Sequence, residues 1–187
     1  MPELKKISDH QQLYTEIGNT PFTCIRCGAC CKEIEPGSNL VWVSPAEVRR
    51  IMTSTSLAFD EIAEPYPDTI HEGDRQYTLG WAIRREGDRC RFLVEGRCSI
   101  YESRPWICRT YPFMINNGKL AISPCNGIST GDSDSIEPQA INQLIDDLQK
   151  RVYAEQAEED RIAKVLATVD IPSGKVVVVD GEGMRII

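Results

Sequence analysis

Eight cysteines, at positions 24, 27, 30, 31, 90, 98, 108 and 125, constrain this chain more than any other feature, because four of them sit inside the single segment CIRCGACC. Thiols in such number have three fates: disulfides, metal or redox chemistry, or burial as small inert hydrophobes. Disulfides require an oxidising compartment and typify chains too small to build a core. A chain of 187 residues can build one. Its opening, MPELKKISDH, lacks the charged-then-apolar profile of a secretory leader, so a reducing cytoplasm is the expected setting. Inert burial does not account for four cysteines within eight residues. Metal binding does.

The spacing narrows the chemistry. Cys24, Cys27 and Cys30 form C-x2-C-x2-C, a loop short enough to wrap an ion or cluster while its backbone N–H groups point at the sulfurs. Three cysteines with a distant fourth is the ligand pattern of a ferredoxin-type [4Fe–4S] cluster. Cys31 follows Cys30 directly, so it faces a second site or shares a thiolate bridge. Cys90, Cys98, Cys108 and Cys125 occur singly, whereas structural zinc sites usually show two close pairs. All eight cysteines are therefore candidate metal ligands. The pattern leans from two zinc ribbons toward an iron–sulfur cluster or a mixed site, with zinc retained as the alternative.

Charge points to the same region. The chain carries 28 acidic and 21 basic side chains, for a net charge of −7, which argues against general nucleic-acid binding. Yet residues 84–109 hold seven of the fourteen arginines and no lysine, giving a local balance of +3 around Cys90, Cys98 and Cys108. Guanidinium donors beside a thiolate-bound metal would offset its negative charge. Arg104, Arg109 and Tyr111 are the candidates for that supporting role. The same arginines could instead form a solvated face of weak ion pairs, or receive an anionic substrate. His10 and His71 lie far from any cysteine in sequence, so a Cys–His nucleophilic pair is not expected.

Along the chain, short elements alternate. Ser44-Pro45-Ala46-Glu47 opens a helix over 46–53, and a second is expected from Leu57 to Glu64. Tyr77–Ile83, Arg91–Val94 and Lys119–Ile122 read as strands, with Asn117-Gly118 as a hairpin turn and a short helical turn over 104–111. Residues 129–135 read as a polar linker. Residues 138–169 are helical, as one long helix or as two meeting at the acidic stretch 155–160, and a hairpin closes the chain around 180–183. The expected fold class is α+β: a small cysteine-rich core over residues 1–127 and a helical, hairpin-ended extension over 128–187. The extension packs on that core or on a protein partner. No apolar run approaches the length of a membrane span.

CIRCGACC, the segment CRFLVEGRCSIYESRPWICRTYPF at 90–113 and the later Cys125 together resemble the YkgJ-type cysteine-cluster family of zinc- or iron-chelating proteins. Gly28, Tyr101, Arg104, Pro105, Arg109, Tyr111, Pro112 and Phe113 carry the likeness along with the cysteines, over about residues 22–127. The resemblance implies metal held by the cysteines. One branch is similar to flagellin lysine N-methylases, which adds a cluster-dependent protein-modifying enzyme to the alternatives. The others are a redox, metal-handling or cofactor-related protein and a structural zinc module. The sequence has no glycine-rich nucleotide loop and no C-x3-C-x2-C triad to favour the enzyme.

Overall fold

The computed structural model describes residues 9–35, 37–128 and 136–187; the expected linker at 129–135 lies outside them. Among the described residues the chain is α+β. Helix α1 (His10–Gly18) leads into the cysteine segment, followed by strand β1 (Trp42–Val43) and helix α2 (Pro45–Thr55). The start of α2 is set locally. The Ser44 hydroxyl accepts from Glu47 N, the Glu47 carboxylate accepts from Ser44 N at 3.1 Å, and Pro45 occupies the first turn. Val48 and Ile51, three apart, are fully buried, each contributing about 1.5–3 kcal/mol.

Helix α3 (Phe59–Ile62) is shorter than expected, because Ala63–Pro65 turns extended as β2. Strands β3 (Thr69–Glu72), β4 (Arg75–Leu79) and β5 (Trp81–Ile83) follow. The β-forming run 77–83 is thus two strands in two sheets. They part at Gly80, where a Cβ would lie 2.6 Å from the Trp42 indole nitrogen. Strand β5 sits between β1 and β2 in a three-stranded antiparallel sheet.

Three small hairpins carry the middle of the chain. Strand β6 (Arg85–Glu86) pairs with β7 (Arg89–Cys90), and β8 (Leu93–Val94) with β9 (Arg97–Cys98). The expected strand at 91–94 is therefore a turn at 91–92 followed by β8. Helix α4 (Trp106–Thr110) comes next, then β10 (Phe113–Asn116) and β11 (Lys119–Ile122). Asn117 and Gly118, both at positive φ, turn that last hairpin as the sequence anticipates.

Helix α5 (Pro138–Leu166) is one continuous helix. It runs through the acidic stretch, where Glu158 is buried. Its carboxylate accepts from Gly181 N at 2.8 Å and pairs with Arg161. Strands β12 (Val176–Asp180) and β13 (Gly183–Ile186) end the chain, and β12 lies between β13 and β4, parallel to β4. Val177 and Val179 pack with Tyr77, Ile162 and Ile171. Val178 enters the larger core of Val43, Val48, Ile51 and Trp81. Burial on both faces explains the valines at 177–179, while Val176 at the strand's start is exposed. A further core joins Leu13 and Ile17 to Phe113, Ile141, Ile145 and Leu148.

Candidate metal centre

The segment CIRCGACC is held at three points. At its start Phe22 bridges to Ile128, and Thr23 N donates to Gly127 O at 3.0 Å, which sets Cys24 beside the Cys125 loop. In its middle Gly28 adopts φ +70, and a Cβ there would lie 2.6 Å from Leu93 Cδ1 and 2.9 Å from Gly96 O. The loop therefore lies against the β8–β9 hairpin that carries Cys98, a closeness only glycine allows. At its end Ala29–Cys31 forms a single 3-10 turn. Lys32 then bridges to Arg89, and Glu33 N donates to Asp88 O at 2.7 Å, placing Cys31 next to Cys90. Cys108 enters from α4.

All eight cysteines line one cavity of about 730 Å³, within the roughly 300–1,000 Å³ range of small-molecule sites. Phe22, Ile83, Phe92, Ile100, Phe113 and Ile128 supply apolar wall. Three arginines, Arg26, Arg104 and Arg151, also face it, and among the described residues no Asp, Glu, Lys or His does. In a chain with 28 acidic residues that sorting of charge is pronounced. The donor set fits a thiophilic metal: many soft thiols, cations nearby, and no competing carboxylate. The thiols share a cavity rather than a point. Among the described residues, no three Cys, His, Asp or Glu side chains are gathered closely enough to hold one ion.

The thiols differ electrostatically. Cys30 accepts a hydrogen bond from the Cys31 thiol, which with its own backbone amide and Arg104 outweighs burial and lowers it to about 7. Cys31, the donor, is raised by that bond, by burial and by the charges of Cys30, Cys90 and Cys108. Burial raises Cys90 to about 11, and it also raises Cys98, Cys108 and Cys125. Metal binding must therefore displace protons from several of these groups.

The residues expected to support the thiols separate. Arg104 faces the cavity, its guanidinium 3.5 Å from the Tyr101 ring centroid, its Nε donating to Tyr101 O at 2.7 Å and its Nη1 to Cys108 O at 3.4 Å. Its charge favours the thiolates of Cys30, Cys98 and Cys108. Tyr111 also lines the cavity and donates its hydroxyl to Pro124 O. Arg109 stands behind the wall, its guanidinium 5.3 Å from the Trp106 ring and donating to the carbonyls of Arg104 and Glu102 at 2.8 and 2.7 Å. Arg50 reaches the same Arg104 carbonyl at 2.9 Å.

Arg26 and Arg151 escaped the sequence reading. Arg26 sits within the cysteine segment itself, its guanidinium 4.2 Å from the Tyr101 ring centroid. Arg151 comes from α5, where only the apolar stripe carried a signal, and it pairs with Glu155 and donates to Thr110 Oγ1 at 3.1 Å.

An uncharacterized protein of Methanocaldococcus jannaschii is 27% identical over 124 residues, covering 59% of this chain and 60% of that relative. This chain thus spans about three-fifths of the curated relative it matches. No solved structure matches. The family described as "Putative zinc- or iron-chelating domain", whose signature is CxxCxxCC, matches residues 23–143, well over half of the chain, and the protein belongs to this YkgJ-type cysteine-cluster family.

Proposed function

We propose that the eight cysteines are the metal ligands of this chelating domain, and that they hold an iron–sulfur cluster in preference to isolated zinc ions. The proposed work is redox, metal-handling or cofactor-related. One observation carries the reading: eight thiols and three guanidiniums, with no carboxylate among the described residues, line a single cavity. The preference for iron–sulfur rests on the C-x2-C-x2-C spacing and on Cys90, Cys98, Cys108 and Cys125 occurring singly rather than in close pairs. When bound, the group would supply electron transfer or Lewis acidity. The chain's part is to present the thiols, place Arg104 beside them and wall the site with apolar side chains.

The test is purification without oxygen, followed by elemental analysis and an absorption spectrum. Brown protein with iron and acid-labile sulfide is expected. Colourless protein containing only zinc would replace this reading with a structural zinc module. A second reading, a cluster-dependent enzyme that modifies a protein side chain, draws support from the cavity's size and from Arg104 and Tyr111 on its wall.

A further inference from the structure

We propose that the eight thiols form two adjoining four-thiolate metal centres, an outer one from Cys24, Cys27, Cys30 and Cys125 and an inner one from Cys31, Cys90, Cys98 and Cys108. The division builds on the metal-ligand reading above. The backbone carries it. The start of CIRCGACC is bound to the segment after Cys125 through Phe22–Ile128 and Thr23–Gly127, whereas its end is bound to the Cys90 hairpin through Lys32–Arg89 and Glu33–Asp88. One eight-residue loop thus leans on two different cysteine-bearing segments.

Exposure follows the division at all but one thiol: Cys24, Cys27 and Cys30 are exposed, whereas Cys125 is part-buried like the four inner thiols. Cys90 and Cys98 also pack against the main hydrophobic core. The thiols acting on Cys125 are Cys27, Cys30 and Cys24, and those acting on Cys31, apart from Cys30, are Cys90 and Cys108. Cys30 acts on both sets, and its hydrogen bond with Cys31 joins them; Cys24 also reaches Cys98, which itself acts on Cys90 and Cys108. Four thiolates complete a metal or cluster shell, and each set draws together on binding, since among the described residues no three of them meet at one point beforehand. The outer centre meets solvent and is where ions, electrons or small ligands would exchange; the inner one stays with the fold.

The full chain, purified anaerobically with its metal, is compared with Cys125→Ser and Cys24→Ser by native mass spectrometry and elemental analysis. Each variant should lose one centre's complement and keep the other, with the circular dichroism spectrum unchanged. Chelator should strip the wild type in two phases and each variant in one, the slow phase surviving. Loss of all metal from folded Cys125→Ser, retention of all of it, or single-phase release from the wild type would overturn the division and leave one polynuclear centre. A wild type that carries no metal would instead overturn the metal-ligand reading itself.

Discussion

Arg104 and Arg109 are five residues apart, and both were drawn by sequence to the same supporting role, yet they stand on opposite sides of one wall. Arg104 places its charge beside Cys30, Cys98 and Cys108, while Arg109 spends its donors on two backbone carbonyls and its face on Trp106. Replacing Arg104 with Leu should weaken metal affinity by about 10–100-fold, the usual cost of losing a group that supports a ligand shell. Replacing Arg109 should move affinity little and instead lower the thermal midpoint, much as Arg50→Leu would, since both brace the Arg104 carbonyl. Chelator competition on the two variants checks this. Equal affinity losses would mean that Arg104 acts through folding alone.

At the scale of elements, legibility followed locality. The cap at Ser44–Glu47 and the Asn117-Gly118 turn are written in neighbouring residues, so they were readable. The split of 77–83 at Gly80 was not, because its cause is an indole from residue 42. Nor was the burial of Glu158, whose partner Gly181 lies twenty-three residues on. For the site, the eight thiols and Arg104 were legible as chemistry. Arg151 was not, because a single arginine on a helix says nothing about the cavity it will reach. Gly28 joins the two kinds of information: its motif position marked it, and its contact with Leu93 and Gly96 explains it. Gly28→Ala should cost about 1–3 kcal/mol from overpacking and positive φ. A urea denaturation midpoint measures that cost, and metal content should fall with it as the loop lifts from the β8–β9 hairpin.

Across the whole molecule the thiols tie stability to pH, with opposite signs for the metal-free and metal-loaded chain. Burial raises Cys90 from 9.0 to about 11 and moves Cys98, Cys108 and Cys125 the same way. Below 9 these groups are protonated whether the chain is folded or not, so their contribution is complete. As pH climbs from 9 toward about 11 the unfolded chain releases protons that the folded chain retains, and stability is lost. Cys30, lowered to about 7, runs the other way below that window. The metal-free protein should therefore unfold at less urea at pH 10.5 than at pH 9. The loaded protein should hold its metal better as pH rises and lose it on acidification, since protons compete for the thiolates. Midpoints that stay level between those two pH values would show that the buried thiols do not titrate as placed.

Strand β12 occupies the interior of its sheet, flanked by β13 and β4, although it is translated about fifty residues after Cys125. A nascent chain that has exposed every one of its thiols to the ribosome's surroundings still lacks the piece that seals the sheet and fills the main core with Val178. For that interval the core on which Cys90 and Cys98 lean is incomplete, whereas Cys24, Cys27 and Cys30 stay exposed even in the finished fold. A chain that stops before the last two strands should therefore leave Cys90 and Cys98 less firmly seated than the complete protein does.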